Sequence, residues 1–201
     1  MWRLTSAPPF DLEAFAPFSP AQKERTQETY NSSLSAHALL YRIGQGIDFH
    51  QLAEGRELWL GGVHIPHAKG CIAHSDGDVL IHALCDALLG ALGLGDIGKH
   101  FPDTDAAYKN IDSKLLLQKA YTLVQAKGYI LVNADTTLLL QAPKIKPYIA
   151  QMQEAMSGIL GIAPEDVSVK ATTTEQLSFI GREEGVVATA SVLLRKMNDA
   201  E

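Results

Sequence analysis

From Tyr41 onward the chain alternates between strand-like and helix-like segments, and this alternation restricts it to one sheet with helices packed against it. Strands are expected at 41–50, 57–60, 62–65, 129–140, 167–173 and 185–195, and helices at about 76–93, 112–127 and 144–160. Trp59-Leu60-Gly61-Gly62-Val63 reads as a hairpin turning at its paired glycines. Ser75, with Asp78 three residues later, resembles a capping box that opens the first helix. The second helix carries Leu115, Leu116, Ala120, Leu123 and Val124 and stops at Gly128. The expected fold class is α/β (α+β), a single sheet with helices on one face. These patterns leave the strand order open.

With 201 residues, 46% of them hydrophobic, the chain can bury one sizeable core. Residues 1–38 differ from the rest. Pro8, Pro9, Pro17 and Pro20 break their first half, and Asn31-Ser32-Ser33-Leu34-Ser35 punctuates the second. Ser19-Pro20 has the form of a helix start, but the segment as a whole reads as a flexible extension before a domain at 39–201. A net charge of −6 argues against a nucleic-acid partner. No apolar stretch approaches a membrane span. The N-terminus lacks the apolar core of a signal peptide, and Asp11, Glu13, Glu24 and Glu28 suit no transit peptide, so a cytoplasmic location is expected. Cys71 and Cys85 then read as buried free thiols, a lone disulfide between them being unneeded.

Asp48 and His50 stand two apart on a strand, so both face one side. His82 lies in the apolar run Val79–Leu94, with Asp78 and Asp86 one turn before and after it. Two imidazoles and a carboxylate suit zinc, and three protein ligands leave a fourth position open for substrate. A lone histidine on an apolar helix is more often a core residue. Asp86 at i+4, placed to accept the second ring N–H, and the independent Asp48–His50 pair favour the ligand reading. His74 and Ser75 precede a helix N-terminus, where an anion is favoured, although Ser75 also serves as a cap. The loop from Gly95 to Asp105 reads as a turn, as a carboxylate site for hydroxyls, or as three acids for a hard cation at a spacing that fits no EF-hand loop. Lys170-Ala171-Thr172-Thr173-Thr174-Glu175 reads as plain strand or as a diphosphate cradle with Glu175 on magnesium. Gln141-Ala142-Pro143-Lys144 reads as a strand-to-helix turn, and Arg182 as a surface charge or a phosphate clamp.

In order along the chain, Gly46-Ile47-Asp48-Phe49-His50, His74-Ser75-Asp76-Gly77-Asp78, His82, Asp86-Ala87-Leu88-Leu89-Gly90, Asp96-Ile97-Gly98, Phe101-Pro102-Asp103-Thr104-Asp105, Gln141-Ala142-Pro143-Lys144 and Lys170–Glu175 together resemble the 2-C-methyl-D-erythritol 2,4-cyclodiphosphate synthase family of the non-mevalonate isoprenoid pathway. The resemblance covers about residues 41–196. It implies zinc on Asp48, His50 and His82, and magnesium or manganese on Glu175 with the substrate diphosphate. It implies transition-state stabilisation by His74 and Thr173. Ser75, Asp96, Ile97, Gly98, Phe101, Pro102, Asp103, Thr104 and Asp105 match a methylerythritol site. Gln141, Ala142, Pro143, Lys144, Thr172, Thr174 and Glu175 match a cytidyl-diphosphate site supplied by the neighbouring subunit of a homotrimer. Phe179 and Arg182 match residues facing phosphate, or an isoprenoid diphosphate in a central cavity. Gln45 and Ile145 depart from the frequent histidine and methionine, and neither removes a ligand.

The implied reaction turns 4-diphosphocytidyl-2-C-methyl-D-erythritol 2-phosphate into the cyclic diphosphate and releases CMP. Its nucleophile is the substrate's own phosphate, so no protein base is needed. The alternative from the metal ligands alone is a zinc-dependent phosphohydrolase, using metal-bound water.

Overall fold

The computed structural model describes Ser19, residues 40–102, Tyr108 and residues 110–197. The extension expected over 1–38, apart from Ser19, lies outside the described residues, as do Asp103, Thr104 and Asp105.

Strand β1 (Tyr41–Glu54) alternates as a strand with one covered face should. Gly44, Gly46, Asp48 and His50 turn toward the helices, while Tyr41, Ile43, Ile47 and Phe49 stand exposed on the other side. Helix α1 (Val79–Ala91) lies directly on β1. A Cβ on Gly44 would stand 1.9 Å from the Ala87 carbonyl oxygen, and one on Gly46 would stand 2.0 Å from that of Ala83. Only glycine permits this approach, and the small Ala83, Ala87 and Ala91 complete it from the helix side. The rest of α1 is buried too. Leu80, Leu84 and Leu88 are each fully enclosed, a gain of about 1.5–3 kcal/mol per side chain over exposure.

Helix α1 begins later than its capping pattern suggests. Gly77 has φ +73°, which breaks the helical backbone, so the cap is Asp78, whose side chain accepts from the Ile81 N–H. Ser75 is not the cap. The hairpin forms as expected from β2 (Leu58–Leu60) and β3 (Val63–Ile65), with Gly61 and Gly62 at φ +59° and +79°, the backbone a two-residue turn requires. It forms a two-stranded sheet of its own, so the expectation of a single sheet needs that correction. Its turn is tied to α1, since the Gly61 and Gly62 N–H groups donate to the Asp78 carboxylate at 2.9 and 2.6 Å.

Three short strand or α-helical segments are not visible in the sequence pattern: β4 (Lys69–Cys71), α2 (Ile97–His100) and the helical turn at Ser178–Gly181. Helix α3 (Ser113–Ala126) is capped by Asp112 and ends before Gly128 at φ +77°. Strand β5 (Tyr129–Leu139) follows it. Helix α4 (Ile149–Leu160) starts five residues after the expected Lys144, because a 3-10 turn at Lys146–Tyr148 carrying Pro147 precedes it. Strand β6 (Val167–Thr172), the short α5 (Ser178–Gly181) and β7 (Gly185–Lys196) complete the chain.

The main sheet has the order β4-β1-β7-β5-β6. Only β5 and β6 run parallel; the other pairs are antiparallel. One lateral row runs Asp48, Ala188, Leu138, Ala171. Asp48 and the end of β6 are therefore three strand steps apart, roughly 14 Å at the usual spacing. Among the described residues no helix is long and apolar enough to cross a membrane.

Candidate metal centre and its two cavities

Asp48 and His50 come from β1 and His82 from α1, and each offers one ligand atom within 4.8 Å of the other two. The close packing at Gly44 and Gly46 brings the third ligand to the first two. The imidazoles are nearly enclosed, with side-chain exposures of 12% for His50 and 11% for His82, against 27% for Asp48. Their ring centroids lie 5.1 Å apart.

The hydrogen bonds suit a cation between these groups. His50 Nδ1 stands 2.7 Å from the Phe49 carbonyl, which can only accept, so the proton sits on Nδ1. His50 Nε2 is then a lone pair, and it is buried with no hydrogen-bond partner among the described residues. Asp48 Oδ1 accepts from the Phe49 N–H at 2.8 Å, while Oδ2 faces His82 Nδ1 at 3.1 Å. Burial raises the pKa of Asp48, but the hydrogen bond with His82, the neighbouring His50 and His82 rings and the Phe49 N–H outweigh it and hold the carboxyl below its ordinary value. An ionised carboxylate and a buried imidazole lone pair, side by side, form a fitting set for a divalent metal with an open position.

Asp86 does not take up the expected place on His82. Its Oδ1 accepts from the Ile97 N–H at 2.7 Å, which pins the start of α2 to α1. Burial raises its pKa, partly offset by that same bond. Asp78 is buried, and burial likewise raises its pKa, against the lowering effect of its three backbone N–H partners. The behaviour expected of Ser75 is divided. Its Oγ accepts from the Gly77 N–H at 3.1 Å and lies 3.2 Å from His82 Nε2.

A cavity of about 510 Å³ opens over His50 and His82. His74, Ser75, Ile97, Gly98, Phe101 and Pro102 line it with His50 and His82, so the structure brings these expected residues together. Asp96 caps α2 through the Lys99 N–H at 2.9 Å. Phe49, Ile72, Tyr108, Ile111 and Leu116 also line the cavity and were missed, because apolar side chains at those positions look like ordinary core. Ser113 and Asp76 were missed as well. Ser113 Oγ lies 2.9 Å from His82 Nε2 and donates to Asp76 Oδ1.

A second cavity, of about 390 Å³, holds Gln141, Pro143, Lys144, Thr172 and Thr173. The Ala142–Pro143 peptide there is cis. Glu175, with φ +51°, accepts from the Thr173 hydroxyl through Oε1 at 2.9 Å, and the Gln176 N–H donates to Gln141 Oε1. The Thr174 hydroxyl is turned inward, donating to the Leu177 carbonyl. The two cavities share no lining residue, so His74 and Thr173 belong to different ones. Phe179 packs near Phe49 at 6.5 Å between centroids, and Arg182 is held by Glu184 through two hydrogen bonds of 2.9 and 3.0 Å. Cys71 and Cys85 are buried free thiols.

Known proteins resemble this chain closely. A protein from Bacteroides thetaiotaomicron named 2-C-methyl-D-erythritol 2,4-cyclodiphosphate synthase is 57% identical over 155 residues, covering 77% of this chain and 98% of that one. A protein of the same name from Shouchella clausii is 58% identical over 157 residues, covering 78% and 99%. A solved structure of a 2C-methyl-D-erythritol-2,4-cyclodiphosphate synthase in its CDP-bound form superposes with a TM-score of 0.71 at 42% identity, covering 76% of this chain and 99% of that one. The names lend no support to a phosphohydrolase. Residues 41–195 match the YgbB family model, and with these identities and coverages the chain belongs to the YgbB family.

Proposed function

We propose that the protein converts 4-diphosphocytidyl-2-C-methyl-D-erythritol 2-phosphate to 2-C-methyl-D-erythritol 2,4-cyclodiphosphate and CMP, in the cytoplasm, as a step toward isoprenoid precursors. The observation that carries this reading is the open three-ligand centre at Asp48, His50 and His82, beneath a cavity lined by His74, Ser75 and Gly98. The names of the relatives supply the product, and the CDP-bound relative supports a cytidyl nucleotide as substrate. An oxygen of the 2-phosphate attacks the β-phosphorus, the bond from that phosphorus to the bridging oxygen breaks, and CMP leaves with the bridging oxygen.

Asp48, His50 and His82 would hold zinc, which supplies neutralisation of phosphate charge and a fixed point for alignment. Glu175, one exposed carboxylate beside a substrate diphosphate, suits magnesium or manganese. His74 and Ser75 would bind and orient the phosphate end of the substrate. Asp96, which caps α2, and the Gly98 backbone would hold the methylerythritol hydroxyls, together with Phe101, Pro102 and the segment 103–105. Thr172, Thr173 and Lys144 would grip the diphosphate and cytidine end, with Gln141, Ala142, Pro143 and Thr174 shaping that cavity. Such positioning of a flexible substrate at both ends contributes several kcal/mol, on the order of 7 in favourable cases.

The two ends need cavities that face one another, whereas one chain sets them three strand steps apart. A homotrimer resolves this, with the zinc half from one subunit and the cytidyl half from its neighbour. The exposed row Tyr41, Ile43, Ile47 and Phe49 supports burial of that sheet face between subunits. Phe179 and Arg182 would then face a central cavity able to take an isoprenoid diphosphate, once Arg182 exchanges Glu184 for phosphate. Product analysis tests the proposal: incubation with substrate and magnesium should give the cyclic diphosphate and CMP in equal amounts. Linear phosphates would overturn it.

A further inference from the structure

His82 reaches the metal centre through Nδ1, and the far side of its ring is held by a chain of two further side chains. Nε2 lies 2.9 Å from Ser113 Oγ, and Ser113 is buried at the first position of α3. The Ser113 hydroxyl carries one hydrogen, and it is committed to Asp76 Oδ1. Asp76 is itself fixed, since its Oδ2 accepts from the Ser113 N–H at 3.0 Å and its Oδ1 from the Asp78 N–H at 3.3 Å. The Asp76 N–H in turn donates to the Ile111 carbonyl at 3.1 Å. With its hydrogen spent, Ser113 Oγ can only accept from His82. A neutral ring that exchanged its Nδ1 hydrogen bond with Asp48 for a metal would then carry its proton on Nε2 and leave the Nδ1 lone pair for ligation.

We infer that Ser113 and Asp76 are positioning residues that fix the tautomer and orientation of His82 for metal ligation. The inference rests on the metal reading proposed above. A ring N–H held by an oxygen acceptor backed by a carboxylate makes the opposite nitrogen a better ligand and removes the rotational freedom of the ring. Ser75 Oγ, 3.2 Å from the same Nε2, accepts from the Gly77 N–H, and among the described residues its hydroxyl hydrogen is not committed to another acceptor, so it does not impose that direction. The sequence hides this device. Asp112-Ser113 looks like a helix start and Asp76 like a turn residue, and both are those things as well.

Zinc competition titrations on the full-length protein, stripped of metal, test the inference with wild type, Ser113→Ala and Asp76→Asn. Melting curves of the metal-free proteins report whether each variant folds. Nitrogen-15 NMR of the zinc-loaded wild type shows which nitrogen of His82 carries the proton, a readout that mere packing would not set. Zinc affinity is expected to fall about 10–100-fold in both variants, with His82 protonated on Nε2 in the wild type. Variant affinities within about twofold of wild type, or a proton on Nδ1, would overturn the inference. If Ser113→Ala does not fold, Asp76→Asn and the wild-type spectrum decide. A wild type that binds no zinc overturns the metal reading and this inference with it, whereas tight wild-type binding with unchanged variants overturns this inference alone.

Discussion

Asp48 Oδ2 lies 3.1 Å from His82 Nδ1, although the two residues stand 34 positions apart in the chain. Neither residue creates that closeness. It follows from two glycines, Gly44 and Gly46, which let the backbone of β1 touch the carbonyls of Ala87 and Ala83 on α1. The candidate metal centre is thus a consequence of a packing contact, and the contact can be altered without touching Asp48, His50 or His82.

Gly46→Ala places a Cβ 2.0 Å from the Ala83 carbonyl, a backbone atom that cannot swing aside. Helix α1 must lift from the strand. The expected cost is about 3 kcal/mol of stability, seen in urea unfolding of the metal-free protein, with weaker zinc binding alongside. Wild-type stability and wild-type affinity together would refute the packing argument.

Burial pushes the Cys71 thiol from its ordinary 9.0 to about 12, with the charges of Asp78, Asp48 and Asp76 adding to the effect. The sign follows from linkage. A thiol harder to ionise when folded adds stability below pH 9, and this contribution is lost as pH rises from 9 toward 12. Native Cys71 should react with a disulfide reagent at pH 8 roughly a thousandfold more slowly than an exposed thiol. Stopped-flow absorbance checks the rate, and urea melts at rising pH check the stability. Fast labelling of the folded, metal-free protein would contradict the burial.

The proposed composite site across subunits has a direct genetic test. His82→Ala and Thr173→Ala each alter a different one of the two cavities, so each variant alone should be nearly inactive. Co-refolded mixtures should regain about a quarter of wild-type turnover, because that share of sites pairs two intact halves. No recovery, in mixtures shown by sizing to exchange subunits, would place both halves in one chain.

Much of the fold was legible because its signals are local. The two-residue period of β1 put Asp48 and His50 on one side, and the paired glycines gave the hairpin its turn. What was not legible depends on partners distant in the chain. Ser75 looked like the cap of α1, but the positive φ of Gly77 moved that role to Asp78. Asp86 had the right spacing for His82, yet the Ile97 N–H claimed its carboxylate. β4 is too short to show a period and exists because Leu52, Ala53 and Glu54 offer it an edge. Strand order likewise rests on pairings such as β1 with β7, more than a hundred residues apart, which no local pattern encodes.

The most direct test of the central claim is phosphorus NMR of product formation as zinc is returned, in measured equivalents, to chelator-treated protein with substrate and magnesium present. Cyclic diphosphate and CMP should appear together, rise to a plateau at one zinc per chain, and remain absent in His82→Ala at the same zinc concentration. Full turnover without zinc, or in His82→Ala, would contradict the account.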